Sequence, residues 1–598
     1  MYNLSFQNTK IKDGFWRFYM DLNRNAVVKN VYERFRETGR FDALRCDWRE
    51  GMPNKPHVFY DSDVAKWIEG VAYIIREAPA PKWEALVDEM VEHIAANQRR
   101  DGYFNSYYQT IEPSQIFIHR EQHELYCLGH MIEAAIAYHA ATGKDKLLNC
   151  VLKNVDMVYQ AFVEEKTAAF VTPGHQEIEL ALMRLYHYLG NNKHLELARF
   201  FLNHRGANEK DCTLYHYGKE YSQDNVPVRE ITEAVGHSVR AAYMYTGMQM
   251  LAKVDGDEAL QKACDRVFDN IVHYKMAITG GMGSDQLGEK FSYNYDIPNS
   301  DTYNETCAAI SLAMFAGALQ EVHADSRYGD IIERVLYNGF ISGVSLDGAK
   351  FFYSNPLEVD RKKFVRSTYQ APGERVKVFE CSCCPPNVVR TLASVANYMY
   401  SVDESTVYCN QFAASETTLQ IGGKDALLKQ ITNYPFDGKI TFQYSGEPVT
   451  LRVRIPEWCV EYTGETKNGF AEFSLNSGDS VTVDLPMAIH FVEANPYVQD
   501  NSGRFAVQRG PIVYCMEELD NGENLRDIRL LEDGTVRMVT EEGIPAPVIY
   551  MDAQRRTSTQ KLYSLKSSSF VNFTAKLIPY FSFANREATD MIVWTMVK

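Results

Sequence analysis

The spacing of apolar residues changes once along this 598-residue chain, and that change limits the folds available to it. From about residue 60 to 400, apolar residues recur at helical spacing, as at Ile178, Leu182 and Leu185. After residues 402–405, the segments KITFQY, VTLRVRI and SVTVDLP are short β-branched runs separated by Gly, Pro, Asn and Asp, which is typical of antiparallel strands. The chain is therefore predicted to be helical first and β-rich afterwards.

Two positions divide the chain into three predicted domains. Residues 1–402 form the helical domain, whose first few residues are left available to pair with a β domain. Residues 403–500 form a first β domain, and residues 501–598 a second β region, which begins after the turn-rich segment NPYVQDNSGRF.

The composition excludes several functional classes. The chain has 62 Lys and Arg against 78 Asp and Glu, a net charge of −16, and no Lys/Arg-rich run, so neither nucleic acid nor an anionic membrane is an expected partner. Its hydrophobic content of 45% is that of a globular protein. We find no apolar run of about 18 residues and no basic-then-apolar pattern at the start, and we therefore expect a cytoplasmic protein.

The densest local feature is a cysteine cluster. Cys381, Cys383 and Cys384 lie in the segment CSCCPPN, which a helical pattern follows. Proline is favoured in the first turn of a helix, so the thiols should lie at a helix N-terminus, where the helix dipole favours thiolate. Thiolate is the form that binds metal and attacks electrophiles, and zinc is a natural candidate. The alternative is three small buried hydrophobic residues.

A zinc site would need further ligands, for which Glu305 and Cys307 in NETC are candidates. An alternative is that Thr302 and Glu305 form a capping box for the helix that follows. Residues two apart point about 200° apart on a regular helix, so joint ligation requires irregular backbone at the helix start. Both interpretations stay open at this point.

Three histidines and one glutamate form a quasi-repeat. His123, His175, His237 and Glu289 are separated by 52, 62 and 52 residues. Each interval fits two helices with their connections, so these residues would lie at the same end of successive helical hairpins. In a closed ring of hairpins they would converge on one mouth. The alternative is chance spacing among fifteen histidines.

Other polar residues have two interpretations each. Glu289 lies in the aromatic loop LGEKFSYNYDIP, where partial burial would raise its pKa toward use as a general acid. Alternatively, it is a surface glutamate beside Lys290. Asp61 and Asp63 are candidate helix caps, and Tyr353 is either a contact to a substrate hydroxyl or a buried strand tyrosine.

Taken together and in order, the motifs resemble glycoside hydrolase family 127, the β-L-arabinofuranosidases. The segments that carry the resemblance are HELYCLGHMIEAAIAYH, TPGHQEIELAL, EAVGHSVRA, GEKFSYNYDIPN, NETCA, CSCCPPN, VQRGPIVYC and PYFSFANRE. They extend over essentially the whole chain.

The resemblance implies an (α/α)6 helical barrel followed by antiparallel β-sandwich domains, and a homodimer. It implies a retaining exo-glycosidase that releases L-arabinose from non-reducing β-L-arabinofuranosides, with a zinc-bound cysteine as nucleophile and a glutamate as acid/base. Matched by motif, Cys383 is the nucleophile and Glu289 the acid/base. The implied zinc ligands are Glu305, Cys307, Cys383 and Cys384. The implied sugar contacts are His123, His175, His237 and Tyr353.

Alternatives remain at this point. The same site could act on another furanoside or on a branched acid sugar, or it could be a structural zinc site in a non-catalytic carbohydrate-binding protein. A different enzyme on a similar helical barrel, such as an inverting hydrolase, an epimerase or an unsaturated-glycuronyl hydrolase, would not depend on Cys383. Glu380 departs from the small or neutral residue expected before the cysteine cluster, and we expect its side chain to point to solvent.

Overall fold

The computed structural model describes residues 1–207, 217–363, 373–378, 381–557, 562–563, 565 and 568–598. Within these residues, helices dominate up to residue 398 and strands from residue 400 onward, which confirms the predicted order of helical and β-rich parts. Every described cysteine is a free thiol. Among the described helices, none is both long and apolar enough to span a membrane.

Six helices, here called the ring helices, are buried on nearly every side. They are Tyr60–Glu77, Glu124–Thr142, Ile178–Leu189, Ser238–Asp255, Thr306–Gln320 and Cys384–Ala393. Each contacts the next along the chain, and the last contacts the first. Sequences such as CAAISLAMFAGAL have no polar face, and a helix that is apolar all round must be enclosed.

Outer helices, most of which have an exposed face, alternate with the ring helices along the chain. They are Val28–Glu37, Pro81–Asn97, Lys146–Tyr159, Asn192–His204, Glu258–Asn270 and Ser326–Arg334. The shorter helices are Gly14–Leu22, Arg40–Ala43, Ser106–Thr110 and Glu518–Asn521.

Glycines allow the ring helices to approach one another closely. A Cβ atom at Gly70, in the first ring helix, would lie 2.6 Å from Val389 Cγ1 and 3.0 Å from the backbone nitrogen of Arg390, both in the last. A Cβ atom at Gly129, in the second, would lie 2.8 Å from the backbone nitrogen of Ile178, in the third. Larger residues would separate these helices, so the glycines set the diameter of the ring.

The N-termini of the ring helices surround one cavity. The residues that precede the first turns are Phe59, His123, Glu177, His237, Glu305 and Cys383, and all except Glu177 line the cavity wall. The partial positive charge at each of these helix ends favours anionic groups there. Asp61 and Asp63 do not cap their helix: Asp61 accepts hydrogen bonds from Ser106, and Asp63 pairs with Arg40.

The strands of the described residues form three sheets, to which the C-terminal part contributes most of the strands. The first contains Tyr2–Asn3, Tyr400–Asp403, Thr406–Cys409, Val449–Arg454 and Phe470–Leu475; the second contains Thr9–Ile11, Ser415–Ile421, Lys424–Thr432, Lys439–Ser445 and Ser480–Asp484. The third contains Glu358–Val359, Ile489–Glu493, Phe505–Arg509, Ile512–Glu517, Ile528–Leu530, Val536–Val539, Val548–Arg556, Phe570–Pro579, Met591–Ile592 and Met596–Val597. The N-terminal segment thus adds one edge strand to each of the first two sheets.

The third sheet supports one wall of the cavity. Its strand Met591–Ile592 pairs with Glu358–Val359, a short strand that follows closely after Tyr353. The backbone N–H of Val593 also donates to the carbonyl oxygen of Leu357 at 2.9 Å. The C-terminal strands therefore hold the loop that carries Tyr353 against the ring.

Candidate active site

The cysteine cluster lies at the N-terminus of the last ring helix. Cys383 is the residue before the first turn, Cys384 is the first helical residue, and Pro385 and Pro386 occupy the following positions in that turn. Cys383 lines the cavity, and Cys384 is fully buried behind it. The proline signal in the sequence therefore located the helix start correctly.

The backbone at Glu305 is extended rather than helical. Its φ of −62° and ψ of 140° precede the ring helix Thr306–Gln320, so Glu305 and Cys307 turn their side chains toward the same point. Glu305 makes no hydrogen bond to the end of its own helix, which contradicts the capping-box interpretation. Instead, its Oε1 lies 3.3 Å from Cys383 Sγ and 3.5 Å from Cys384 Sγ.

Three sulfur atoms and one carboxylate form a compact group. Cys307 Sγ lies 3.7 Å from Cys383 Sγ and 3.3 Å from Cys384 Sγ, and the latter two are 3.7 Å apart. Tetrahedral zinc with bonds of about 2.3 Å to sulfur would hold its thiolates about 3.8 Å apart. Glu305 Oε2 is buried without a hydrogen-bond partner, as expected of an atom left for a ligand. This donor set could hold a metal ion, and its spacing and chemistry fit zinc.

The ionisation of each of these four groups affects the ionisation of the others. Burial opposes ionisation of Cys307, but hydrogen bonds with the Cys383 and Cys384 thiols lower its pKa to about 6. Burial and the neighbouring thiols raise the pKa of Cys384 well above its usual value, and burial and the charge of Cys383 do the same for Glu305. All four groups can be deprotonated together only when a cation balances them.

Tyr353 contacts the cluster from the cavity side. Its hydroxyl lies 3.0 Å from Cys383 Sγ and 3.7 Å from Cys381 Sγ. Tyr353 is buried, but it lies in a loop rather than in a strand. The hydrogen bond with Cys383 and burial raise the pKa of Cys381 well above its usual value. Glu380 lies outside the described residues.

The structure brings the three histidines and Glu289 together. The ring centroids of His123 and His175 are 5.3 Å apart, and those of His175 and His237 are 5.4 Å apart. His237 Nδ1 accepts from the backbone N–H of Arg240, which leaves Nε2–H to donate to Glu289 Oε2 at 2.9 Å.

Glu289 faces the cavity rather than the surface. Its side chain is 21% exposed, its backbone has a left-handed φ of 56°, and Lys290 pairs with Asp285 instead. Burial alone would raise its pKa, but the hydrogen bond from His237 outweighs burial and lowers it. The raised pKa predicted from the loop sequence is therefore wrong for this protein, because the sequence did not indicate that His237 is its partner.

The cavity measures about 450 Å³ and contains residues that the sequence patterns did not identify. Tyr126 and Arg240 line it, each three residues after one of the histidines and therefore on the same helix face. That spacing is a signal that could have located both. Arg240 Nη1 donates to the carbonyl oxygen of Gly174 at 2.6 Å, and its guanidinium lies over the ring of Tyr221.

Three family models match consecutive parts of the chain. They are the β-L-arabinofuranosidase GH127 catalytic domain over residues 8–397, the GH127 middle domain over 406–487, and the glycoside hydrolase family 127 C-terminal domain over 489–596.

Individual relatives match over nearly their full length. A non-reducing end β-L-arabinofuranosidase of Bifidobacterium longum subsp. longum is 33% identical, with 90% of this chain and 89% of that protein covered. The crystal structure of a GH127 β-L-arabinofuranosidase from Geobacillus stearothermophilus T6 is 36% identical, covers 99% of this chain and 100% of that chain, and has a TM-score of 0.93. A structure described as a GH127 β-arabinofuranosidase is 33% identical, with 100% and 98% covered and a TM-score of 0.91.

Proposed function

The chain belongs to glycoside hydrolase family 127, and from this premise we propose that it releases L-arabinose from the non-reducing end of β-L-arabinofuranosides with retention of configuration. The observation that carries the proposal is the thiol and carboxylate group of Glu305, Cys307, Cys383 and Cys384, which opens into the same cavity as Glu289. We also propose that the ring and outer helices form an (α/α)6 barrel and that the sheets form β-sandwiches. The closed order of contacts among the ring helices supports the barrel.

Cys383 is the proposed nucleophile. It is the cysteine that both belongs to the metal-compatible group and touches Tyr353 at the cavity wall. Zinc bound by Glu305, Cys307, Cys383 and Cys384 would keep the Cys383 sulfur deprotonated near neutral pH. Attack of this sulfur on the anomeric carbon would form a carbon–sulfur bond as the bond to the leaving oxygen breaks.

Glu289 is the proposed acid/base. In the first step the protonated form of its carboxyl, which the lowered pKa makes a minor form near neutral pH, would donate a proton to the leaving oxygen, so that the aglycone departs as a neutral alcohol. In the second step the carboxylate would take a proton from water, whose oxygen displaces Cys383 from the anomeric carbon. Two displacements at one carbon restore the original configuration. The N–H of His237 holds the Glu289 carboxylate in place between the two steps.

The remaining cavity residues suit a neutral sugar. Burial lowers the pKa of His123 and of His175 well below the usual range, so both rings are neutral and can each donate and accept one hydrogen bond. The guanidinium of Arg240 donates to Gly174 and lies over the ring of Tyr221, and among the described residues its Nε has no hydrogen-bond partner. The furanoside is favoured over the branched acid sugar by the relatives, which are described as β-L-arabinofuranosidases.

The proposal is tested with a chromogenic β-L-arabinofuranoside and its α-anomer, together with metal analysis of the same preparation. We expect turnover of the β-anomer alone, one zinc per chain, and a first-formed β-L-arabinofuranose in the NMR spectrum. Product that first appears as the α-anomer would contradict retention. Zinc without turnover of any furanoside would support the non-catalytic carbohydrate-binding alternative.

A further inference from the structure

The cavity has a buried end and an open end. Tyr353, beside the thiols, is 1% exposed, and His175 is buried as well. Leu287 and Tyr217 line the same cavity but are 63% and 48% exposed. A sugar held by the buried residues would therefore have the rest of its glycoside directed toward Leu287 and Tyr217.

The open end is attached to the loop of the acid/base. The backbone N–H of His237 donates to the carbonyl oxygen of Tyr221 at 3.1 Å, and the next N–H, of Ser238, donates to the carbonyl oxygen of Glu289 at 3.0 Å. A Cβ atom at Gly288 would lie 3.3 Å from Tyr221 Cε2. The start of one ring helix thus holds Tyr221 and Glu289 side by side.

Three side chains form an apolar surface beside Glu289, here called the rim surface: Tyr217, Tyr221 and Leu287. The rings of Tyr217 and Tyr221 are 4.8 Å apart between centroids, and Leu287 lies two residues before Glu289. All three line the cavity. Exposed apolar side chains grouped at the opening of a cavity are typical of a binding surface.

One polar atom next to the rim surface lacks a partner. Gln286 also lines the cavity, and its Oε1 is buried without a hydrogen-bond partner among the described residues. An amide oxygen accepts hydrogen bonds, so it suits a hydroxyl group. Apolar side chains next to a free acceptor match a neutral sugar, which has C–H faces as well as hydroxyl groups.

The stereochemistry of the proposed reaction places the leaving group on this side. A nucleophile and the oxygen it displaces lie on opposite sides of the anomeric carbon, and the acid must lie beside that oxygen. Tyr353 contacts Cys383 at 3.0 Å, whereas the rim surface adjoins the loop of Glu289. The two groups of contacts therefore correspond to the nucleophile side and the leaving-group side.

We propose that the rim surface binds the leaving group, that this group is a neutral sugar, and that Gln286 Oε1 accepts a hydrogen bond from one of its hydroxyl groups. The inference rests on the proposed function. Tyr217, Tyr221 and Leu287 are then specificity-determining residues that distinguish an arabinofuranosyl sugar from a glycoside with a small leaving group.

The test compares two substrates that differ only in the leaving group. They are a disaccharide with a non-reducing β-L-arabinofuranosyl unit and methyl β-L-arabinofuranoside, whose methoxyl group is too small to cover the rim surface. Release of L-arabinose by the full-length protein gives the ratio of the two kcat/KM values. Both leaving groups are alcohols that need protonation, so a change in this ratio between wild type and a variant reports leaving-group contacts.

Leu287→Ala and Tyr217→Ala each remove part of the rim surface. We expect each to lower the ratio by roughly 10-fold, the lower end of the loss for a missing apolar contact in a pocket. Gln286→Met removes the acceptor at similar size and should lower the ratio as well. An exposed residue of the same loop provides the matched control: Tyr293 is 72% exposed and lies outside the described lining of the cavity, so Tyr293→Ala should leave the ratio unchanged.

The possible failures are distinguishable. A wild type that releases L-arabinose from neither substrate would overturn the proposed function. A wild type that hydrolyses both, with a ratio unchanged in Leu287→Ala and Tyr217→Ala, would overturn the rim surface alone. Equal losses on both substrates would also overturn it, because the two side chains would then act through the position of Glu289. A ratio unchanged in Gln286→Met would overturn the assigned hydrogen bond.

Discussion

Replacement of Cys383 by alanine separates the proposed mechanism from every alternative that does not use this thiol. The substitution removes the sulfur that lies 3.0 Å from the Tyr353 hydroxyl, and it leaves Glu305, Cys307 and Cys384 in place. Three protein ligands are sufficient for many zinc sites, so the variant should still load metal at high zinc concentration.

The expected loss follows from the lack of a substitute nucleophile. Cys381 is the thiol that also reaches Tyr353, but it is not one of the four metal-compatible groups, and its burial, which the substitution leaves in place, opposes its ionisation. Loss of an enzyme's nucleophile typically lowers kcat by roughly 10⁴-fold or more. At about 1.36 kcal/mol per tenfold change, this is about 5.4 kcal/mol of lost transition-state stabilisation.

The assay combines turnover with chemical rescue. Release of the chromophore from a β-L-arabinofuranoside is followed for wild type, Cys383→Ala and the control Cys381→Ala, each at saturating zinc. Azide, a small anionic nucleophile, should restore chromophore release in Cys383→Ala and produce a glycosyl azide of inverted configuration. Cys381→Ala should lose less than about tenfold and should not respond to azide.

Two results would refute the reasoning. A zinc-loaded Cys383→Ala protein with more than one tenth of wild-type turnover would exclude this sulfur as the nucleophile. A Cys381→Ala protein as inactive as Cys383→Ala, with zinc retained, would transfer the role to Cys381.

The remaining predictions concern the acid/base, a buried carboxyl and the ring. His237→Ala removes the hydrogen bond that lowers the pKa of Glu289, so the basic limb of the kcat/KM profile should move to higher pH. His175→Ala removes a proposed sugar contact but no hydrogen bond to Glu289, so a shift of the kcat/KM profile of the same size in this variant would contradict the assignment. Burial raises the pKa of Glu124 from 4.5 to about 8, so folding takes up a proton and the free energy of unfolding should fall by about 5 kcal/mol between pH 4.5 and 8. Denaturant titrations at several pH values should show that the free energy of unfolding of Glu124→Gln lacks this pH dependence. The same pH dependence in wild type and Glu124→Gln would contradict the prediction. Gly70→Ala places a methyl group against the last ring helix and should lower the free energy of unfolding by about 1–3 kcal/mol. This loss should be measurable as a lower melting temperature. An unchanged melting temperature would mean that the two helices can move apart without cost.

The sequence predicted what periodicity and helix-end chemistry determine locally. The change from helical to strand spacing located the helical and β-rich parts, because each pattern requires one buried face. The prolines after Cys384 located a helix start. The extended backbone at Glu305 was not predictable, because capping and ligation fit the same residues and differ only in one residue's φ and ψ. The charge state of Glu289 was not predictable either, because it depends on His237, which lies 52 residues away in the chain.

The helix ends that surround the cavity do not by themselves produce reactive thiolates. A helix N-terminus stabilises a nearby anion by about 0.3–1 kcal/mol, or less than one unit of pKa. The position of Cys384 at such an end predicts a lowered pKa, yet burial and its two neighbouring thiols raise it instead. The effect of the helix dipole is therefore the smaller one: the packed thiols favour ionisation of Cys307 and oppose ionisation of Cys384. A dication bound at the proposed metal site would supply the difference.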